Sequence, residues 1–148
     1  MKFIHKLRES ILGSRRPQLP ENATRAERGQ FGEDLAAVHC RRVLGYRVIT
    51  RNWRHQKGEI DLVCRDAEVL VFIEVRSRSA EAAVSGYNSV DPAKKDVLRK
   101  VFRSYLKQLP QPPKHFRFDI IDIALVENGE SEVRHYKNVP LFHKHFSV

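Results

Sequence analysis

Two short apolar stretches decide the fold: Gly58-Glu59-Ile60-Asp61-Leu62-Val63 and Val71-Phe72-Ile73-Glu74-Val75-Arg76. Between them lies Asp66-Ala67-Glu68, which is typical of a tight turn, so the two stretches are predicted to pair as a β-hairpin. Asp61 and Glu74 each interrupt residues that favour burial. Carboxylates are poor strand formers and are rarely buried without a partner. Two of them on paired strands can converge on one point, which is how oxygen ligands for Mg²⁺ are assembled.

The rest of the chain alternates helical and strand patterns. Apolar spacing predicts a helix from Glu27 to Leu44, and an Asp-Pro start predicts a second one from Asp91 to about Leu109. Strands are predicted over residues 46–53, 59–65, 69–76, 116–126 and 133–139. Residues 77–90 are polar and small and are predicted to form a loop. Ile60, Leu62 and Cys64 alternate onto one predicted strand face. The order α-β-β-β-α-β-β predicts an α/β fold.

Composition indicates one domain of an intracellular protein. The chain has 148 residues, and 27 Lys and Arg against 18 Asp and Glu leave a net charge of +9. This surplus favours a polyanion such as nucleic acid, or an anionic membrane surface, as the partner. The two cysteines, Cys40 and Cys64, exclude a disulfide framework and favour a reducing compartment. Neither a membrane span nor a signal peptide is visible, so we expect a cytoplasmic location and no membrane partner.

The first 25 residues differ from the rest of the chain. Residues 13–20 are basic and contain two prolines, which predicts a tail or linker over residues 1–25 and a single domain over residues 26–148. Through residue 30, seven basic and three acidic side chains leave a local charge of +4. The tail is therefore either a mobile basic arm that contacts nucleic acid or a solvated segment that serves solubility alone.

Three further side chains are predicted to lie near the two carboxylates. Arg76 follows Glu74 by two residues, so strand alternation places both side chains on the same face. Glu33 lies on the first helix, and Lys94 lies in the first turn of the second helix at the head of its apolar stripe. Each has a purely structural alternative: an Asp61–Arg76 or Glu74–Arg76 ion pair without chemistry, a solvated glutamate, and a snorkelling lysine.

These residues resemble a known family. The matching motifs are Gly29-Gln30-Phe31-Gly32-Glu33-Asp34-Leu35-Ala36, Gly45-Tyr46, Asn52-Trp53-Arg54, the two stretches around Asp61 and Glu74, Lys94 and Arg117-Phe118-Asp119. In this order, over about residues 27–140, the chain resembles the YraN-like family of the PD-(D/E)XK superfamily, whose relatives include archaeal Holliday junction resolvases. The resemblance implies a restriction-endonuclease-like fold, with a mixed β-sheet flanked by helices.

The resemblance also implies roles for individual residues. Asp61, Glu74 and the carbonyl of Val75 would hold Mg²⁺ or Mn²⁺, and Glu33 would be an accessory acid. Arg76 stands where the superfamily motif has a lysine. Arginine keeps its proton in proteins, so Arg76 can bind a phosphate but cannot act as a base. Activation of water would then fall to the metal alone or to Lys94.

The implied activity is hydrolysis of phosphodiester bonds in nucleic acid, with DNA favoured over RNA and branched DNA as one candidate. The predicted nucleic-acid contacts are Arg54, Lys57, Gly58, Arg78 and Lys94. The basic side chains would contact phosphates, and Gly58 would leave room for the substrate backbone. Resolution of a junction would require a homodimer that presents two sites.

Two other functions are compatible with the same residues. The first is a non-catalytic nucleic-acid-binding protein that retains the nuclease fold, which the arginine at position 76 favours. The second is an interaction protein in which the acidic residues form an ion-pair network. Metal-dependent cleavage that requires Asp61 distinguishes the nuclease from both alternatives. Salt-sensitive binding of nucleic acid separates the first alternative from the second.

Overall fold

The computed structural model describes residues 17–82, 90–142 and 146, which form an α/β fold around one mixed sheet. Its helices and strands are α1 (Arg25–Arg42), β1 (Arg47–His55), β2 (Gly58–Asp66), β3 (Val69–Ser79), α2 (Pro92–Gln108), β4 (His115–Leu125) and β5 (Glu132–Tyr136). The predicted order α-β-β-β-α-β-β is confirmed. Within the described residues, neither helix is long and apolar enough to cross a membrane.

The five strands lie side by side in chain order, β1-β2-β3-β4-β5. All neighbouring pairs are antiparallel except β3 and β4, which run parallel. A parallel pair cannot be joined by a tight turn and needs a long crossover, and α2 lies in that crossover. The crossover therefore places α2 on one face of the sheet, next to the strands that carry the candidate site.

The two helices cover opposite faces of the sheet. On one face, α1 packs on a core that includes Phe31, Ala36, Cys40, Leu62, Cys64, Val71, Ile73, Ile121 and Ile123. On the other face, α2 packs on a core that includes Ile60, Val63, Leu70, Phe72, Leu98, Phe102, Leu106, Phe118 and Ile120. The central strands β3 and β4 are buried on both faces, which explains why they are apolar without a clean alternation.

One predicted strand face is wrong. Ile60 packs under α2, whereas Leu62 and Cys64 pack under α1. The alternation breaks at Asp61, and the residue opposite it on β1, Asn52, has a φ of 50°. Asparagine tolerates this left-handed backbone better than most residues, so the local irregularity is built into both strands at the same level.

Both helices begin at side-chain caps. Thr24 and Glu27 form a capping box, in which each side chain accepts a hydrogen bond from the other's backbone N–H. This box explains why α1 begins at Arg25, two residues before the predicted start. At α2, Asp91 accepts from the N–H of Lys94 at 2.8 Å and proline occupies the first turn, which confirms the predicted start.

The packed chain begins before residue 26. Leu19 lies within the segment predicted as a tail, but its side chain is fully buried in the core beneath α1. Its carbonyl accepts a hydrogen bond of 2.9 Å from the N–H of Asn128, and it forms a parallel bridge to Glu127. A buried leucine stabilises a fold by about 1.5–3 kcal/mol. Residues 1–16 of the predicted tail lie outside the described residues.

A buried charge network joins several strands of the sheet. Asp119 is completely buried, with the Nε of Arg117 at 2.9 Å and the Nε2 of His135 at 2.8 Å from its carboxylate oxygens. Arg117 also donates to Asp66 at 2.9 Å and to the Tyr46 hydroxyl at 2.7 Å. The network therefore connects residues from β2, β4, β5 and the segment just before β1.

The carboxylate of Asp119 is held in its charged form. Burial alone would raise its pKa, but hydrogen bonds from His135, Arg117 and the N–H of Asn138 outweigh burial and lower it. A buried carboxylate with this many donors is fully compensated, so removal of the group leaves buried donors without an acceptor.

We expect Asp119→Ala to lower the free energy of unfolding by about 3–5 kcal/mol, because it leaves the buried charge of Arg117 without this carboxylate. Urea denaturation followed by circular dichroism measures this loss. Glu132→Ala is the control, since that carboxylate pairs with Arg134 at an exposed position, where ion pairs contribute little to stability. Similar losses in the two variants would contradict a structural role for the network.

The same network predicts a loss of stability in acid. The folded pKa of Asp119 lies below its unfolded value of about 3.9, so its stabilisation is complete at neutral pH and is lost as the pH falls below about 4. Asp119→Asn should therefore be less stable than the wild type at neutral pH, with a difference that shrinks in acid. Denaturation curves measured from about pH 7 to pH 3 test this, and a constant difference would refute it.

Candidate active site

The candidate site lies where β2 and β3 stop pairing. Their register ends at Leu62 opposite Ile73, although β3 continues beside β4 to its last residue. From Glu74 onward, one edge of β3 therefore has no neighbouring strand in the described sheet. The carboxylate of Asp61 reaches this edge and accepts a hydrogen bond of 2.8 Å from the N–H of Val75. A side chain of β2 thus replaces the backbone acceptor that continued pairing would have supplied.

Three oxygen donors face this edge. The N–H and C=O of one strand residue point towards the same neighbour, so the carbonyl of Val75 lies on the side from which Asp61 approaches. Glu74 precedes Val75 and its side chain is 5% exposed. Burial, and after it the charge of Glu74, raises the pKa of Asp61 to about 8 despite the hydrogen bond from Val75. Asp61 itself therefore has too little positive charge around it to offset burial and the charge of its neighbour.

Two cations contact Glu74. The Nζ of Lys94 lies 3.2 Å from its Oε1, and an Nη of Arg76 lies 3.5 Å from the same oxygen. The predicted placement of Arg76 and Lys94 beside the carboxylates is confirmed. Of the two ion pairs considered for Arg76, the described residues form the one with Glu74. The Nε of Arg76 is buried and has no hydrogen-bond partner there, which leaves the guanidinium with unused donor capacity.

Glu33 lies on α1 near the same edge. Burial is the main cause of its raised pKa, which a hydrogen bond with Asn52 partly offsets, and its charge also acts on Asp61. Its position depends on Gly32, where an added Cβ would lie 1.8 Å from the Oγ of Ser77. The missing side chain lets α1 approach β3 closely, so Glu33 is half-buried and not the freely solvated residue of the structural alternative.

The donor set fits a hard divalent cation. Mg²⁺ is usually bound by one or two carboxylates, with waters and substrate phosphate oxygens completing the shell. Asp61, Glu74 and the Val75 carbonyl supply this kind of set. No cluster of three or more His, Cys, Asp and Glu side chains arranged to hold a metal occurs among residues 17–82, 90–142 and 146. Glu33 is therefore not placed as a third carboxylate ligand.

A basic cleft adjoins the carboxylates. It has a volume of about 350 Å³ and lies between the start of α1 and the end of β3, with Glu33 and Val75 in its wall. We call it the arginine cleft after four of its lining residues, Arg25, Arg28, Arg76 and Arg78. Arg25 and Arg28 did not emerge from the sequence as site residues. Their spacing of three residues puts them on neighbouring positions of one helix face. This spacing is the sequence feature that could have identified them as site residues.

Arg78 is anchored within the cleft. It donates at 3.0 Å to Asp122, whose side chain is almost completely buried, and at 3.0 Å to the carbonyl of Ala82. The predicted phosphate contact is therefore held by a buried carboxylate on β4. Such anchoring reduces the conformational entropy that an arginine loses when it binds a phosphate.

The other predicted nucleic-acid contacts lie at the turn between β1 and β2. Arg54 pairs with Glu59 at 3.3 Å on an exposed surface. Lys57 and Gly58 line a second groove against α2. An added Cβ at Gly58 would lie 2.7 Å from the Cβ of Val101. Close packing against α2 therefore explains why position 58 is a glycine, whereas the sequence predicted room for the substrate backbone. The predicted nucleic-acid contacts thus lie at three separate places: beside Glu74, in the arginine cleft and at the turn between β1 and β2.

Comparison with known proteins identifies the family. The model of the Uncharacterised protein family UPF0102 matches residues 32–123, the span that holds the site carboxylates. A UPF0102 protein of Parafrankia sp. is 38% identical over 107 residues, which cover 72% of this chain and 90% of the relative.

Further relatives show similar coverage. A UPF0102 protein of Syntrophomonas wolfei is 38% identical over 112 residues, or 76% of this chain and 96% of the relative. One of Mycolicibacterium vanbaalenii is 35% identical over 116 residues, or 78% and 95%. The matches confirm the resemblance at the level of the family, and the chain belongs to the UPF0102 family.

Proposed function

We propose that this protein is a metal-dependent nuclease of the restriction-endonuclease-like superfamily that hydrolyses phosphodiester bonds in DNA. The observation that carries the proposal is the meeting of Asp61 and Glu74 at the uncovered edge of β3, beside the arginine cleft. Buried carboxylates that repel each other destabilise a fold, and such pairs are concentrated at functional sites. The placement of both acids on neighbouring strands supports the superfamily assignment.

The metal in this proposal is Mg²⁺ or Mn²⁺, held by Asp61, Glu74 and the carbonyl of Val75. When bound, such an ion polarises a phosphoryl oxygen and lowers the pKa of a coordinated water. The raised pKa of Asp61 supports a cation at this point, since a positive charge there would relieve the repulsion from Glu74.

The chain's own cations would bind the substrate. Arg76 stays charged at every relevant pH, so its role is to hold a phosphate and the negative charge that develops during cleavage. Lys94, within reach of Glu74, is the side chain here that can hold or transfer a proton. The arginine cleft would bind neighbouring phosphates, which gives affinity that depends on salt and little on sequence.

A non-catalytic nucleic-acid-binding protein is the second candidate. The observation that favours it is the pairing of Glu74 with both Lys94 and Arg76, which neutralises one of the two carboxylates without a metal. In either function the arginine cleft contacts phosphates. Branched DNA remains a candidate substrate, and its symmetrical cleavage would require a homodimer with two sites.

We expect cleavage of labelled DNA with Mg²⁺ or Mn²⁺, tested on duplex, single-stranded and four-way-junction substrates. Asp61→Asn and Glu74→Gln should each lower the rate at least about 100-fold, because each removes a charged metal ligand. EDTA should abolish cleavage, and Glu132→Gln at an exposed position should leave it unchanged. Cleavage that survives both site substitutions would contradict the site. Salt-sensitive binding without any cleavage would favour the second candidate.

Metal binding can be measured without activity. A divalent ion that binds only the folded chain stabilises it by about 1.4 kcal/mol at ten times its dissociation constant, so Mn²⁺ should raise the melting temperature. Asp61→Asn and Glu74→Gln should lose this shift, and Glu132→Gln should keep it. An equal shift in all four proteins would place the metal elsewhere.

A further inference from the structure

A second groove lies between the β1–β2 turn and the middle of α2. Its volume is about 300 Å³. We call it the turn groove, and its principal lining residues are His55, Lys57, Val97, Lys100, Val101 and Ser104. The function proposed above uses the carboxylates and the arginine cleft and assigns no role to this groove.

One wall of the turn groove is a planar ring held in place from behind. The ring of His55 stacks on that of Trp53, with centroids 5.8 Å apart and planes 9° from parallel. Trp53 in turn packs edge-on against Tyr105, at 5.2 Å and 87°. Residue 55 is itself exposed and lines the groove. A ring fixed in this way binds a flat partner at a low cost in conformational entropy.

The remaining walls are apolar and positive. Val97 is 41% exposed, which is unusual for a large aliphatic side chain, and Val101 lies one helical turn further on. Lys57 and Lys100 are exposed, and neither forms an ion pair with any residue that the structure describes. Among the residues that the structure describes, no acidic side chain lines the groove. A flat apolar group that carries negative charge at its edge matches this surface, and a nucleotide is such a group.

The position of the groove connects it to the carboxylates. Six residues of α2 separate Lys94, which contacts Glu74, from Lys100, and they rise about 9 Å along the helix. Along β2, three residues separate Asp61 from Gly58, or about 10 Å. Stacked nucleotides rise about 3.4 Å each, so the turn groove lies about three nucleotides from the carboxylates.

We propose that the turn groove binds an unpaired nucleotide, with its base stacked on His55 and its phosphates on Lys57 and Lys100. A base within a duplex is stacked and paired and cannot enter the groove. The substrate class is therefore nucleic acid with a single-stranded portion next to the bond to be cleaved. The link to cleavage rests on the proposed function, whereas nucleotide binding in the groove needs neither metal nor turnover.

The chain contains a single tryptophan, Trp53, so its fluorescence reports on the groove directly. Titration of the full chain in EDTA with eight-nucleotide oligothymidylate or oligouridylate should change this fluorescence saturably, and a blunt-ended duplex of two separate strands should not. Comparison of the two oligonucleotides distinguishes DNA from RNA. His55→Ala should weaken binding of the single strand about 5- to 30-fold, since a stacking surface is lost. His55→Phe should preserve binding, because it keeps an aromatic ring on which a base can stack.

The lysines are tested through the salt dependence of binding. Lys57→Ala combined with Lys100→Ala should reduce the slope of log affinity against log salt by about 1.4, since each phosphate contact on a single strand contributes about 0.7. Lys107→Ala combined with Lys114→Ala removes the same charge at exposed positions outside both grooves and should leave the slope near that of the wild type.

The two proposals fail separately. Unchanged single-strand affinity in His55→Ala and in the Lys57 and Lys100 double variant would overturn the turn groove, even if Asp61-dependent cleavage is found. Loss of single-strand binding in these variants would uphold the groove even if no substrate is cleaved. Equal fluorescence changes with single strand and duplex would overturn the preference for an unpaired nucleotide.

Discussion

The hydrogen bond from Val75 to the carboxylate of Asp61 is the contact on which the candidate site depends. A backbone N–H that loses its partner in a buried region costs about 1–3 kcal/mol, so β2 cannot leave β3 unless another acceptor replaces its own. Asp61 supplies that acceptor. This replacement of a backbone acceptor by a side chain uncovers an edge of β3 and fixes one oxygen of the Asp61 carboxylate. It also leaves Glu74 beside that carboxylate. Separation of the strands and assembly of the site are therefore one event.

Asp61 and Asp119 show how a structural carboxylate differs from one at the candidate site. Asp119 receives hydrogen bonds from Arg117, His135 and Asn138, and its pKa is lowered. Asp61 receives one from Val75, faces another carboxylate, and its pKa is raised. Burial raises the pKa in both cases, so the difference lies in the hydrogen-bond donors and in the charge of the neighbouring groups. An unbalanced carboxylate is the one left to bind something from outside the fold.

Local signals explain what could be predicted from the sequence. The order of elements and the start of α2 follow from turn residues and caps, and the position of Asp61 near Glu74 follows from the pairing of their two strands. The face of Ile60 and the burial of Leu19 could not be predicted in this way. Each depends on an event between distant segments, the end of β2–β3 pairing in one case and a bridge to Glu127 in the other. The arginine cleft could not be predicted for the same reason, because it forms where α1 approaches β3 at Gly32.

The two grooves lie beside the segments of β2 and β3 that do not pair with each other. The arginine cleft borders the free end of β3, and the turn groove borders the start of β2, so the carboxylates lie between them. Arginine presents a fixed fork that suits phosphates in a set position, and Arg78 is further fixed by Asp122. The turn groove instead combines flexible lysines with a stacking ring, which suits a strand without fixed geometry. A substrate that is paired on one side of the carboxylates and unpaired on the other would satisfy both surfaces at once.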